Sequence, residues 1–213
     1  MKTKTGLLSR ASSLLFCVAL VALCVQSSNV QGKSMSNAFK EVYSGNMIYF
    51  DGTFGPAAGL RRGGRSGSGV EFFTLTINSY TPESDVNRML AALKDGGQDA
   101  LSKVLGKEKK GTLQIGTRLG RDVQAVWVTR TDEGRKISAL SERWLGFGEL
   151  RRGARSVDYP FTYIEIFVEE DGGKGEGSLI PAARVRSKGG NNIEIENFGI
   201  YPARLTNIKM SNK

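Results

Sequence analysis

The chain has 213 residues, with 30 Lys and Arg against 21 Asp and Glu, a formal charge of +9 and no histidine. Its two cysteines, Cys17 and Cys24, both fall near the amino terminus, so everything downstream lacks both thiol and imidazole. That excludes disulfides, Ser-His-Asp and Cys-His nucleophile systems and the usual zinc sites from the rest of the chain.

Lys2, Lys4 and Arg10 precede the apolar run LLFCVALVALCV at 14–25, and the polar QSSNVQG follows, which is the layout of a secretory signal peptide. Twelve apolar residues are too few for a hydrocarbon core that needs about twenty. Val30 and Gly32 suit the small-residue positions before a cut, which predicts a signal over 1–32 and a mature chain from Lys33 with no transmembrane segment. Cys24 raises the alternative of a lipoprotein anchor, but Leu23 before it is bulkier than the residue that normally precedes an acylated cysteine. The expected location is secreted or periplasmic. Without the three leader cations the balance falls from +9 to +6, which favours an anionic glycan, lipid or envelope surface as partner. Export argues against nucleic acid, and interspersed charge also serves simply to keep an exported domain in solution.

Residues 33–45 read as a polar tether and 46–213 as one β-rich domain. MIYF at 47–50 is a first short strand, and the Gly-, Arg- and Ser-rich stretch from Gly52 to Gly69 a mobile connection. In EFFTLTINSY at 71–80, Phe73, Leu75 and Ile77 alternate with Thr74, Thr76 and Asn78, the period of a half-buried strand. The period then changes. A helical hairpin is predicted at about 81–107, with Thr81 as cap, Pro82 in the first turn, and Val86, Met89, Leu90 and Leu93 on one face. Gly96-Gly97 divides it from a second helix carrying Ala100, Leu101, Val104 and Leu105. Seven further strands are expected at 112–119, 123–131, 135–141, 161–170, 178–187, 192–197 and 203–210, between turn signals such as DEG and KGGN. The fold class is mostly antiparallel β, α+β by the inserted hairpin, with eight or nine strands in a barrel or sandwich that hides its edges.

The wording FTLTINSYT, GGQDAL, RSVDYPFTYIEI, GEGSLIPAARV and IEIENFGIYPARL resembles a family of uncharacterised exported bacterial proteins over roughly residues 46–210. The resemblance implies a shared fold and an exported location, and it brings no activity and no catalytic residue.

Carboxylates are the remaining candidates for catalysis. Glu165 lies between Ile164 and Ile166 and shares its face with Tyr163 and Phe167; if that face is internal, the carboxylate must pair, most plausibly with an arginine, or act as an acid or base. Glu194 and Glu196 share a strand face, as paired carboxylates of glycoside hydrolysis do, but Ile193 and Ile195 alternate with them as on an ordinary solvated strand. Asp171 and Glu176, flanking GGKGEG, offer too few carboxylates for a full calcium loop but are the candidate cation ligands. Two heptads match: LRRGGRS at 60–66, with Arg61, Arg62 and Arg65, and LRRGARS at 150–156, with Arg151, Arg152 and Arg155. Converged, these would form an anion site; they are read as independent surface loops, because neither interleaves a stacking aromatic. Tyr159, Tyr201, Trp127 and Trp144 are read as core or end-covering rings, with a sugar- or lipid-binding mouth as the alternative.

The sequence thus favours a non-enzymatic exported binding or structural module, with no cofactor implied; the alternative is a carboxylate-dependent hydrolase of envelope polysaccharide. Intact-mass measurement of the exported protein is expected to give a chain beginning near Lys33 with no lipid, and a lipidated Cys24 at the amino terminus would contradict this.

Overall fold

The computed structural model describes residues 40–50, 68–106, 108–132, 134–143, 155–169, 175–189, 192–199 and 201–211. Among them, ten strands form one antiparallel sheet with a helix set against it, the mostly β architecture that the alternating sequence predicts. The strands are β1 (Glu41–Tyr49), β2 (Gly69–Ile77), β3 (Gly111–Ile115), β4 (Arg121–Val123), β5 (Ala125–Thr131), β6 (Gly134–Glu142), β7 (Phe161–Glu169), β8 (Gly175–Gly189), β9 (Asn192–Asn197) and β10 (Ala203–Ser211). Helix α1 (Glu83–Leu105) lies between β2 and β3 in the chain, and a short 3-10 turn (Arg155–Asp158) precedes β7. The ladder order is β4-β3-β2-β1-β10-β8-β7-β6-β5, and β9 pairs with β8. None of the helices described is long and apolar enough to cross a membrane.

Two of the departures from the expected boundaries have identifiable reasons. Strand β1 begins at Glu41, so residues 41–45 belong to the sheet rather than to the tether: Tyr43 turns inward and is fully buried, and Glu41 has partners deep in the fold. The single strand expected at 123–131 appears as β4 and β5, because Val123 pairs back to Gly111 of β3 whereas Ala125 pairs with Leu140 of β6.

Period-two alternation assigns one face of this sheet to a close-packed interior. Phe73, Leu75 and Ile77 of β2 meet Ile137 and Ala139 of β6, Ile164 and Ile166 of β7 and Leu205 and Ile208 of β10 in one cluster, to which every strand but β9 contributes. The fit is tight enough to require glycine at 177, where a Cβ would stand 2.2 Å from the Glu165 carbonyl oxygen.

A polar group fixes how the sheet curls. Arg135 of β6 donates to the Tyr43 hydroxyl of β1 at 3.1 Å and stands 3.5 Å from the Glu41 carboxylate. Glu41 in turn accepts from the hydroxyls of Tyr43 at 2.5 Å and Tyr80 at 2.6 Å. Strands β1 and β6 are four ladder steps apart, so these contacts exist only because the sheet curls until the two face each other. Burial, followed by the bonds to the anionic Glu41, pushes both phenols well above their usual range, so they act as neutral donors at ordinary pH.

With most of its surface withdrawn from water, Glu41 depends on its cation, and breaking a largely buried pair costs about 3–5 kcal/mol. A comparable pair, Lys136 with Glu165, lies at the surface and is worth at most about 1 kcal/mol. Urea unfolding is therefore expected to show Arg135→Met destabilised by several-fold more than Lys136→Met; equal losses would mean that Arg135 does not hold the two strands.

Candidate functional site

The outer face of the same strands is also apolar where α1 lies. Ala125, Leu140, Phe161, Tyr163, Ile180, Ala183 and Val185 form a second buried cluster with Met89, Leu93, Leu101 and Leu105 of α1. The helix is not continuous. Gly97 has φ 67° and ψ −155°, a left-handed conformation that only glycine adopts readily, and it divides α1 into the two arms that the Gly96-Gly97 pair predicts. Thr81 does not cap the first arm as expected: Pro82 occupies that position, and Thr81 instead exchanges bonds with the free edge of β5. Its N–H donates to the Val126 carbonyl at 2.7 Å, and its Oγ1 accepts from the Val126 N–H at 2.9 Å. The second arm is pinned by Gln98, which accepts from the Val185 N–H and donates to the Asp158 carbonyl, and by Ser102, bonded to Glu142.

Between the arms and the sheet lies a cleft of about 190 Å³. Its helix wall is Val86, Met89, Leu90, Leu93 and Leu101, and its floor is Trp127, Leu140, Val185 and Ile193; every lining side chain is apolar. Val86, Leu90, Trp127 and Ile193 are only half-buried and mark where it opens to solvent. Such a space exceeds the roughly 150 Å³ apolar cavity that admits a benzene ring, and is smaller than the roughly 300 Å³ at which pockets for whole drug-sized ligands begin. It fits an alkyl chain or one ring.

Beside the cleft on the same outer face runs a polar row. Ser138 pairs across the ladder with Trp127 on one side and Glu165 on the other, and the Tyr163 hydroxyl reaches both Ser138, at 3.2 Å, and Glu165, at 2.8 Å. Lys136 completes it, 3.5 Å from Glu165. Burial, together with the bond to Glu165 and against the bond to Ser138, pushes the Tyr163 phenol well above its usual range. The Tyr163 ring stands 6.4 Å from that of Trp127, so row and cleft share a border.

Glu165 is therefore placed differently from the expectation of an internal carboxylate held by arginine: its face is the outer one, it is 37% exposed, and its partners are a tyrosine and a lysine. Glu196 accepts from the Tyr159 hydroxyl and pairs with Arg186 at 3.2 Å, while Ile193 and Ile195 pack on the opposite side, against the apolar cluster under α1, as an ordinary strand predicts. Glu176 lies in β8, exposed and opposite Phe167; Asp171 is outside the described residues, and among those described no three acidic side chains gather as a metal site. Arg61, Arg62, Arg65, Arg151, Arg152 and Trp144 also lie outside them, while Arg155 begins the 3-10 turn. The strands flanking the two heptads are described, however. The β1–β2 connection leaves at the Tyr49 and Gly69 pair, the β6–β7 connection at the Glu142 and Phe161 pair, and antiparallel alternation from β1 to β6 puts both at one end of the sheet.

Comparison with protein-family models, with curated proteins and with solved structures finds no match to this chain. The role of the cleft has to be argued from its own chemistry. The sequence marks Val86, Met89, Leu90, Leu93 and Leu101 as a packing stripe; what it does not reveal is that the stripe stands off from the floor around Trp127 and Ile193, because this depends on the angle between the arms at Gly97.

At Gly97 an added Cβ would meet nothing within 4 Å, so substitution there costs backbone strain alone. Gly97→Ala is expected to lower stability by about 1–3 kcal/mol in chemical denaturation and to change Trp127 emission as the arms shift over the cleft.

Proposed function

We propose that the protein is an exported, non-enzymatic binding module that receives the apolar part of its ligand in the cleft beneath α1. The observation that carries this reading is the contrast between the two faces of the sheet. The inner face is filled by side chains, whereas the outer face keeps an open space of about 190 Å³ lined by apolar residues. An exposed apolar concavity with polar groups at one border is the usual form of a small-molecule site. The amino-terminal signal pattern supports work outside the cytoplasm.

The hydrolase alternative has less support. Glu165 is charge-balanced by Lys136 and already accepts from Tyr163, and the polar row supplies no second carboxylate to complete an acid and base pair. The sheet is not closed, and we read it as a curled sheet whose two ends approach each other through one bent strand. β4 and β5 end the ladder order on opposite sides but are separated only by Gln124, whose N–H donates to Leu140 of β6 while Val123 accepts from the Lys110 N–H. Rapid amide exchange at Gln124 would count against that approach.

The binding reading is tested with n-octanol and Trp127 as the reporter. At ten times its Kd a ligand stabilises by about 1.4 kcal/mol, which for a domain of this size is a rise of roughly 3–6 °C in Tm. Octanol is expected to raise Tm and shift Trp127 emission in the native protein, and to do neither in Leu90→Arg, where a cation stands at the cleft rim. Effects that persist unchanged in Leu90→Arg would place binding elsewhere and remove the reading.

A further inference from the structure

We infer that the ligand's polar end is an uncharged, hydroxyl-bearing group, as in an alkyl glycoside, held by the Lys136 and Glu165 pair while its alkyl chain occupies the cleft. This rests on the proposed binding role of the cleft and adds the head-group chemistry to it. The row beside the cleft is closed in charge: Lys136 stands 3.5 Å from Glu165, and both side chains remain about 40% exposed. A carboxylate head would have to compete with Glu165 for Lys136 beside a like charge, and an ammonium head would compete with Lys136 for Glu165. Hydroxyl groups avoid both penalties. They donate to the remaining lone pairs of the carboxylate, accept from the remaining ammonium hydrogens, and leave the ion pair intact. Ser138 is not the donor in this arrangement, since it is buried and already bonded to Tyr163.

The aromatic neighbours fit the same group. Trp127 flanks Ser138 on one side of the row, and Phe167, paired with Lys136, flanks it on the other; both are half-buried on the outer face. A sugar ring presents hydroxyls at its edge and C–H groups on its faces, so it can use the charged pair and an aromatic ring together. Reach is adequate. Trp127 and Glu165 are separated by two strand spacings, about 10 Å, which a chain of about eight carbons covers from the cleft to the row.

The test compares three probes with the same tail, octyl glucoside, octanoate and octyltrimethylammonium, each below its micelle concentration, by calorimetry on the full chain. One net hydrogen bond of about 1 kcal/mol corresponds to a preference of about fivefold. The glucoside is expected to bind about fivefold more tightly than either charged probe, and the double variant Lys136→Met with Glu165→Gln to bind all three alike. Equal affinities in the native protein, tightest binding of a charged probe, or a glucoside preference that survives in the double variant would each overturn the head-group inference while leaving the cleft reading in place. Failure of all three probes to bind would overturn both. Leu90→Arg and Ile193→Trp, on opposite walls of the cleft, retain the apolar run at 14–25, so they separate binding in the cleft from adsorption to that run. Near-UV circular dichroism checks that each variant is folded.

Discussion

Strand β7 has to remove both of its faces from water. Ile164, Ile166 and Val168 point one way and Phe161 and Tyr163 the other, and all five are buried. A sheet can cover one face by curling on itself, as it does when Arg135 of β6 meets Glu41 and Tyr43 of β1. It cannot cover the second face in the same way. The outer apolar area of β5 to β8 therefore calls for a separate layer, and α1, inserted between β2 and β3, is that layer. The cleft follows from the same demand. A helix broken at Gly97 presents two short stripes at different angles, and two such arms cannot meet a twisted sheet everywhere along its surface.

Much of this was legible in the sequence because it is local. Alternation in FTLTI and FTYIEIFV shows directly in the buried pattern of β2 and β7, and NIEIEN forms β9 over the residues predicted for it. Gly96-Gly97 marks the break in the helix because the backbone there needs a residue without a Cβ. The misread boundaries have a common cause. Residues 41–45 look like a polar tether, and the partners that take Tyr43 and Glu41 into the fold, Arg135 and Tyr80, are distant in sequence, Arg135 by 92 positions from Tyr43. Gln124 likewise looks like the interior of one strand, and only the two different partners of Val123 and Ala125 reveal a junction.

The candidate site was legible in its parts but not in their assembly. Glu165, Tyr163 and Phe167 can be assigned to one strand face from spacing alone. Whether that face is inner or outer cannot, because β7 is apolar on both sides and period two carries no label for inside. Register settles it: Glu165 lies opposite Ser138 and Ser178, whereas Ile166 lies opposite Ile137 and Gly177, where only a glycine fits. The carboxylate's partner follows from the same register, since Lys136 is two residues from Ser138 on the neighbouring strand and on the same face, while Arg135 points inward.

Antiparallel order fixes where each connection must begin and end, and the two segments that carry the arginine heptads both start and finish at one end of the sheet. The cleft belongs instead to an outer face, bordered by an ion pair with no net charge. Discrimination inside the cleft must come from short-range contacts: shape against Leu90, Trp127 and Ile193, and hydrogen bonds at Lys136 and Glu165. Those are the contacts an overall charge of +9 neither supplies nor removes.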